Sequence, residues 1–187
     1  MRVISGSAGG VPLSVPSQGI RPTMDRVRAA LFSSLAECVP GARVLDLFGG
    51  SGGLGIEALS RGAATAVFVD KDRSAVECIR RNLAKTRLSG SIQQMDAFRF
   101  LRLYAHPSSL DLIFADPPYT KSADDPDFAT QLLQAPELRN ALTDNGTFVL
   151  ETADAYAIEP AAEASAWKLV RSRAYGGSSI HFLTPAR

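Results

Sequence analysis

The segment 110–119, LDLIFADPPY, constrains the fold of this chain more than any other. The apolar run 112–115 is typical of a strand that is buried on both faces of a parallel sheet. This strand must end at Asp116, because the two prolines that follow have no backbone N–H to donate to a neighbouring strand. The sequence therefore places a carboxylate and the Tyr119 ring at the carboxyl end of a strand, where open α/β sheets bind their ligands.

The end of this strand suits one kind of chemistry, the methylation of an amino group attached to an aromatic base. The lone pair of such an amine is conjugated with the ring, so the amine is a poor nucleophile. The Asp116 carboxylate and the Pro117 carbonyl could each accept one N–H and aim the lone pair at a methyl donor. Tyr119 could stack on the base, while Pro117 and Pro118 hold the acceptors in place. We predict that these four residues are catalytic; the alternative is a tight turn that only closes the strand.

A glycine-rich loop, GGSGGLG at 49–55, follows a second predicted strand at 43–48. Three of its glycines match the spacing of the dinucleotide-binding fingerprint, namely Gly50, Gly52 and Gly55. Glycines allow any cofactor to approach the backbone closely, so they do not identify which cofactor binds. Asp46, at the end of the strand, could receive the charged amino group of a methionine moiety, and Phe48 gives the loop an apolar flank.

Acidic residues follow the next two predicted strands as well. Asp70 ends the strand at 66–69, where a carboxylate can bind both hydroxyls of an adenosine ribose, in NAD and in S-adenosylmethionine alike. Asp96 follows the strand at 91–94 and could accept a hydrogen bond from an adenine amino group, or it could cap the helix at 98–104. The predicted cofactor site comprises Asp46, Phe48, Gly49, Gly50, Ser51, Gly52, Gly55, Asp70, Lys71, Asp96 and Ala97.

The rest of the chain completes an α/β pattern. The other predicted elements are a helix over 23–37, a basic helix over 73–88, a helix over 128–142 interrupted near Pro136, a strand over 146–151 and an antiparallel pair at 167–175 and 179–183. We predict one domain overall, in which 1–20 is a small hairpin extension outside the main fold and 21–187 is the catalytic domain. The acidic segment 120–127 is long enough to form a mobile lid.

The formal net charge of +1 conceals a strong asymmetry along the chain. Basic residues dominate 1–43, 71–102 and 164–187, whereas 111–163 is acidic. Basic clusters of this kind can bind a phosphate backbone despite a nearly neutral total, although solvated helix faces would explain them as well. The arginines that we expect to contact RNA lie around the start of the first helix and are Arg21, Arg26 and Arg28.

Other residue types argue against several kinds of site. Cys38 and Cys78 make no disulfide framework, and the isolated His106 and His181 have no metal-ligand spacing, so we expect no metal. The N-terminus lacks the apolar core of a signal peptide, and no apolar run approaches the roughly 20 residues of a membrane span. We therefore expect a cytoplasmic monomer that does not associate with membranes.

Four motifs together resemble the RsmD family of bacterial methyltransferases, which act on a guanine N2 of 16S ribosomal RNA. They are RPTxDRVR at 21–28, DLFGGSGGLG at 46–55, EALSRG at 57–62 and DPPY at 116–119, and the similarity runs essentially from end to end. The resemblance implies a Rossmann-like class I fold that depends on S-adenosylmethionine. It implies a seven-stranded, mostly parallel sheet with an antiparallel last strand.

The same resemblance assigns roles to the motifs. It implies that 46–55, Asp70 and Asp96–Ala97 bind S-adenosylmethionine, which becomes S-adenosylhomocysteine, and that 116–119 receives the guanine. The implied substrate is 16S rRNA within the assembled or assembling small ribosomal subunit. The family usually has alanine at two positions of the loop and glutamate in place of the second acid, and the residues here are Gly50, Gly53 and Asp70.

Three other functions stay open from the sequence. A DNA methyltransferase acting on adenine N6 or cytosine N4 would use the same DPPY motif, although 187 residues leave little room to read a duplex. A nicotinamide-dependent oxidoreductase would use the glycine loop, but the chain offers it no evident proton donor. An assembly factor without activity would still bind the cofactor, although the motifs of the site are intact.

Overall fold

A computed structural model describes residues 1–16, 23–120, 124–159, 162 and 165–186. Its helices are α1 (Thr23–Leu35), α2 (Gly53–Ser60), α3 (Arg73–Thr86), α4 (Ala97–Tyr104), α5 (Phe128–Gln134) and α6 (Pro136–Ala141), with a 3-10 turn at Ala36–Cys38. Its strands are β1 (Arg43–Leu47), β2 (Thr65–Asp70), β3 (Ser91–Gln94), β4 (Leu110–Ala115), β5 (Leu142–Ala153), β6 (Trp167–Ala174) and β7 (Ser178–Pro185). These bounds differ from the predicted ones by only a few residues.

These strands form a seven-stranded sheet in the order β3-β2-β1-β4-β5-β7-β6. β2 pairs in parallel with β1 and β3, and β4 pairs in parallel with β5, while β7 is antiparallel to both β5 and β6. The antiparallel strand is therefore the last one, and the predicted Rossmann-like sheet is confirmed. Contacts divide the chain into two compact units, Met1–Ala97 and Phe98–Arg187. The division into a hairpin extension and one catalytic domain stays a prediction.

In the first unit, buried residues hold in place the strand and the two helices that flank the loops at the edge of the sheet. Residues 44–47 of β1 are buried, α2 is buried at nearly every position, and α3 buries one face. α3 begins where the Asp72 carboxylate accepts a hydrogen bond from the Ser74 N–H at 2.8 Å, which is a typical N-cap. It ends at Arg87, whose φ of 57° breaks the helix.

The N-terminal residues 1–16 pair as predicted, but they are packed against the rest of the first unit. Arg2 and Pro12 form an antiparallel bridge, and Val3 is 1% exposed. The Ser7 N–H donates to the carbonyl of Ser60 in α2 at 2.7 Å. The backbone of the hairpin therefore contacts α2, and Val3 is part of the core, while the separation of 1–20 from 21–187 stays a prediction.

Asn82 of α3 joins this hairpin to the glycine-rich loop. Its side chain is fully buried, and its Nδ2 donates to the carbonyls of Ser14 and Ser51, both at 2.8 Å. Its Oδ1 accepts from the Ser14 N–H, also at 2.8 Å. Because the amide has partners on both its oxygen and its nitrogen, its burial carries little cost.

In the second unit, β4 is the most deeply buried strand, with residues 112–115 at most 2% exposed. Its register places Ala115 beside Leu150 of β5, so β5 continues past the end of β4. At the far edge, the Trp167 Nε1–H donates to the Leu133 carbonyl at 2.8 Å. This buried donor is satisfied, and the indole anchors β6 on α5.

The acidic segment 120–127 is only partly described, since residues 121–123 lie outside the described ranges. The Thr120 hydroxyl donates to the Pro126 carbonyl at 3.2 Å. The lid expected for this segment stays a prediction.

Candidate functional site

The first unit brings three carboxylates to the carboxyl ends of neighbouring strands, and Asp46 of β1 is the innermost. It is 2% exposed, and its Oδ2 accepts a hydrogen bond from the Gly55 N–H at 2.9 Å. Burial raises the pKa of the Asp46 carboxyl to about 7, against the opposing effect of that hydrogen bond. In this structure Asp46 supports the glycine-rich loop from beneath.

The glycine-rich loop turns sharply between β1 and α2. Phe48 has a positive φ of 56°, and so does Gly50 at 54°, a conformation that costs a residue with a Cβ more than it costs glycine. The Gly49 N–H donates to the Val69 carbonyl at 3.0 Å, which fastens the loop to the end of β2. At Gly55 a Cβ would lie 2.3 Å from the Phe68 ring, so only glycine fits there.

Asp70, at the end of β2, holds the loop from the other side. Its Oδ2 accepts from the Gly50 N–H and its Oδ1 from the Asp72 N–H, each at 2.9 Å. Beyond β3, Asp96 is exposed and Ala97 is buried. The loop glycines, Ser51 and the neighbouring Lys71 thus surround an edge that carries three carboxylates. S-adenosylmethionine requires acceptors for an ammonium group, two ribose hydroxyls and an adenine amine. Asp70 is partly exposed and Asp96 is exposed, as the ribose and adenine acceptors would have to be, whereas Asp46 is buried under the loop. The assignment of these residues to the cofactor stays a prediction.

The second unit places the DPPY segment directly after the buried strand β4. Asp116 and Pro118 are exposed, Pro117 is buried and Tyr119 is partly exposed. The Tyr119 hydroxyl donates to Glu151 Oε1 of β5 at 2.8 Å. Burial, together with the carboxylates of Glu151 and Asp116, raises the pKa of Tyr119, so its hydroxyl keeps its proton.

Comparison with known proteins identifies the family to which this fold and these motifs belong. Residues 1–184 match the family described as Conserved hypothetical protein 95, which is the RsmD family. The chain belongs to the RsmD family.

Individual relatives agree with this membership. Ribosomal RNA small subunit methyltransferase D of Escherichia coli K12 is 39% identical over 148 residues, which are 78% of this chain and 68% of that protein. The Bacillus subtilis protein YlbH, provisionally named an rRNA methyltransferase, is 44% identical over 123 residues, which are 64% of this chain and 67% of that protein. The solved structure of a hypothetical protein from Thermus thermophilus superposes with a TM-score of 0.79 at 30% identity, covering 98% of this chain and 99% of that one.

A more distant likeness shows the shared fold with a ligand. The SMU.776 methyltransferase, solved in complex with SAH, superposes with a TM-score of 0.68 at 16% identity and covers 88% of this chain and 50% of that one. At this identity the likeness concerns the fold alone. The match to ribosomal RNA small subunit methyltransferase D, together with the fold, identifies this RsmD-family chain as an rRNA methyltransferase with a Rossmann-like fold.

The arginines predicted to contact RNA have different surroundings in this RsmD-family protein. Arg26 of α1 is exposed, so its role stays a prediction, and Arg21 lies outside the described residues. Arg28 is 5% exposed, and its Nη2 donates to Asp25 Oδ1 at 3.0 Å and to the Arg2 carbonyl. A buried guanidinium that is paired internally does not reach a phosphate, so the structure assigns Arg28 to the fold instead.

Glu57 of α2 is the residue of this region that sequence reasoning missed. It is fully buried, and its carboxylate accepts from the N–H groups of Ile4 and Ser5 at 2.7 and 3.1 Å. It also accepts from Arg61 Nε at 2.7 Å and lies 3.7 Å from Arg28 Nε. The sequence held one signal, an acid within an apolar helix with an arginine four residues later.

Metal clusters and membrane-spanning helices are absent from the described ranges. Within residues 1–16, 23–120, 124–159, 162 and 165–186, no three His, Cys, Asp or Glu side chains group as a metal would require. His181 lies instead between the hydroxyls of Thr152 and Ser172, each 2.8 Å from a ring nitrogen. Over the same ranges, no helix combines the length and hydrophobicity that crossing a membrane would take.

Proposed function

We propose that this protein transfers a methyl group from S-adenosylmethionine to the exocyclic N2 amine of a guanine in 16S ribosomal RNA. The observation that carries the proposal is the placement of Asp116, Pro117, Pro118 and Tyr119 at the end of the buried strand β4, with the Tyr119 hydroxyl fixed on Glu151. The relatives named for rRNA small subunit methylation support the same substrate class.

Cofactor binding is assigned to the first unit. Asp70 would bind the ribose, Asp96 and Ala97 the adenine, and the Asp46 to Gly55 loop the methionine portion. The SAH complex of a protein with the same fold supports this cofactor. The residues assigned are Asp46, Phe48, Gly49, Gly50, Ser51, Gly52, Gly55, Asp70, Lys71, Asp96 and Ala97. S-adenosylmethionine, when bound, supplies a sulfonium methyl group, whose bond to sulfur breaks as a bond to the amine nitrogen forms, leaving S-adenosylhomocysteine.

The chain's own contribution is to position the amine and to receive its proton. The Asp116 carboxylate and the Pro117 carbonyl each accept one N–H, which directs the nitrogen lone pair away from the ring. The amine becomes acidic only as it gains the methyl group, so no base has to act beforehand. Asp116 then accepts the proton or passes it to water, and Tyr119 stacks on the base.

The partner is 16S rRNA within the assembled or assembling small ribosomal subunit. The guanine must leave its stack to enter the site, at a cost of a few kcal/mol that is smaller for an unpaired base. Arg21 and Arg26 are assigned to RNA phosphates. We also propose that the protein acts in the cytoplasm, as a monomer with one catalytic domain and without a metal.

The test compares methyl transfer by wild-type protein, Asp116→Ala and Asp144→Ala. Radiolabelled S-adenosylmethionine is supplied with small subunits from a strain lacking the modification, with naked 16S RNA or with duplex DNA, and the product is digested to nucleosides. We expect N2-methylguanosine from the subunits with wild type and with Asp144→Ala, which removes an exposed carboxylate near the start of β5. Asp116→Ala should lose transfer while its affinity for the cofactor, measured by calorimetry, is unchanged.

Three results would contradict the proposal. Label in adenine or cytosine of DNA would indicate a DNA methyltransferase. Cofactor binding without any transfer would indicate an assembly factor. Loss of both transfer and cofactor affinity in Asp116→Ala would show that Asp116 does not act on the base.

A further inference from the structure

We propose that Glu151 selects guanine as the target base, by accepting a hydrogen bond from the N1–H of the guanine ring. This inference rests on the proposed function, since it concerns how the same site distinguishes guanine from other bases that carry an amine. Glu151 lies in β5, outside the DPPY motif.

The register of the sheet brings Glu151 beside the DPPY segment. Ala115, the last residue of β4, pairs with Leu150 of β5. Asp116 follows Ala115 and Glu151 follows Leu150, so both acids lie at the same edge of the sheet. β5 runs on to Ala153 and pairs there with β7, which holds the backbone of Glu151 within the sheet. Its side chain is partly exposed, between the buried Leu150 and the buried residue that follows it.

Contacts with Tyr119 fix the carboxylate. The Tyr119 hydroxyl donates to Glu151 Oε1 at 2.8 Å, and Asp116 lies three residues before Tyr119 in the same DPPY segment. A hydrogen bond with Ser178, at the start of β7, acts on the same hydroxyl. The Tyr119 side chain, just after β4, is therefore held by Glu151 of β5 and Ser178 of β7.

One oxygen of Glu151 remains for a ligand. Oε1 takes the Tyr119 proton, while Oε2 has no hydrogen-bond partner among the residues that the structure describes. An ionised carboxylate can only accept hydrogen bonds. A partly exposed side chain whose carboxylate is oriented by Tyr119 is thus suited to accept from one donor on the base.

The chemistry of the bases makes this acceptor selective. Guanine presents three N–H bonds on its Watson–Crick edge, one at N1 and two at N2, whereas adenine N1 and cytosine N3 present lone pairs. The Asp116 carboxylate and the Pro117 carbonyl match the two N2 donors, and Glu151 matches the third. Adenine or cytosine would set a lone pair against the Glu151 carboxylate, so that two acceptors would face each other without a hydrogen between them, which disfavours both bases.

The test replaces the acceptor while keeping its shape. In Glu151→Gln the amide oxygen can still accept from Tyr119, and the NH2 group then faces the guanine N1–H, donor against donor. We expect kcat/KM for small subunits to fall roughly 10- to 100-fold, with cofactor affinity and melting temperature unchanged. Tyr119→Phe, which removes the hydroxyl but keeps the carboxylate, should lower the rate and keep the base preference.

Base preference is the readout that a merely structural role would not move. Small subunits are reconstituted with 16S RNA that carries 2-aminopurine in place of the target guanosine, which keeps the 2-amine but has a lone pair at N1 and no O6. Wild type should favour guanosine, and Glu151→Gln should shift the ratio of rates toward 2-aminopurine by at least about 10-fold. The missing O6 affects both proteins alike, so the change in ratio reports on N1.

The outcomes separate this inference from the proposed function. If wild type makes N2-methylguanosine and Glu151→Gln makes it equally well, or loses both substrates in the same proportion, Glu151 does not read N1 and the function stands. If wild type labels a different nucleoside, the proposed function itself is wrong, and the selection of guanine with it.

Discussion

At the scale of single residues, the burial of Asp46 predicts how stability changes with pH. Its carboxyl pKa is about 7 in the folded protein and about 3.9 in an unfolded chain. Between these values the folded state keeps a proton that the unfolded state has released, so the free energy of unfolding falls as pH rises from about 4 to about 7. The decrease from this one group is on the order of a few kcal/mol.

Asp46→Asn removes the titration and keeps an oxygen for the Gly55 N–H. We expect the variant to equal wild type near pH 4 and to become progressively more stable than wild type up to about pH 7. Urea unfolding of both proteins without cofactor, at several pH values in this window, measures the difference. If the unfolding free energies of the two proteins depended on pH in the same way, the folded state would not raise the pKa of Asp46, and the prediction would be wrong.

The buried carboxylate of Glu57 predicts a large loss of stability on a small chemical change. In Glu57→Gln one acceptor oxygen becomes an NH2 group that faces the N–H donors of the hairpin or of Arg61. We expect unfolding free energy to fall by about 3 kcal/mol, because a buried ion pair is broken and donors lose their acceptor. Urea denaturation gives the value.

Glu77→Gln is the matched control for this change. Glu77 pairs with Arg80 at 3.3 Å on the exposed face of α3, where the two side chains are 45% and 60% exposed. Removing an exposed pair should cost less than about 1 kcal/mol. Equal effects of the two substitutions would mean that the Glu57 carboxylate does not hold the hairpin.

At the scale of elements, the join between the glycine-rich loop and α2 predicts a contrast between two glycines. A Cβ at Gly55 would lie 2.3 Å from Phe68 Cε1 and 3.1 Å from Asp46 Oδ2, and Phe68 is fully buried. Gly55→Ala should therefore destabilise the protein by about 1–3 kcal/mol and weaken cofactor binding. Thermal melting and calorimetry with S-adenosylmethionine measure the two effects.

Gly53→Ala makes the same chemical change two residues earlier. Its Cβ would lie 3.3 Å from Arg28 Nη1 and 3.4 Å from Met1 Cε, about 1 Å farther than the Cβ at Gly55 would lie from the Phe68 ring, and alanine favours a helix over glycine. We expect stability and cofactor affinity within about 0.5 kcal/mol of wild type. A loss as large as that of Gly55→Ala would show that the clash with Phe68 is not the cause.

The sequence predicted the positions of the helices and strands better than it predicted the contacts between their side chains. Short apolar runs such as that of β4, and the prolines that end it, decide strand positions locally, so the sheet and the DPPY placement were predictable. The burial of Arg28 was not, because two of its partners, Arg2 and Glu57, are 26 and 29 residues away and only the fold brings them together. Glu151 was missed for the same reason, since its link to Tyr119 spans 32 residues.

At the scale of the whole molecule, local charge rather than the net charge of +1 should govern the encounter with RNA. α3 exposes Arg80 and Arg81 among further basic residues. We expect KM for small subunits to rise steeply with salt between roughly 50 and 200 mM. Arg80→Gln with Arg81→Gln should raise KM and flatten this dependence, measured by methyl transfer at several salt concentrations.

A second pair of arginines separates local from total charge. Arg171 and Arg173 of β6 are also exposed, so replacing both with glutamine changes the net charge by the same amount. We expect a smaller effect on KM from this pair, because the basic residues of α3 are more numerous. Equal effects would mean that only the total charge matters, and a KM independent of salt would contradict electrostatic contact altogether.

The Asn82 amide also makes the hairpin and the loop thermodynamic partners. We expect a ligand that orders Ser51 to strengthen the hydrogen bond between Asn82 and Ser14 as well. Reciprocity then requires that whatever orders Ser14 favours binding of the ligand by an equal free energy. Backbone amides of residues 1–14 should therefore exchange with deuterated water more slowly once S-adenosylmethionine is bound. If RNA binds the hairpin, it would in turn raise the affinity of the protein for its methyl donor. The donor would then dissociate most slowly when a substrate is present.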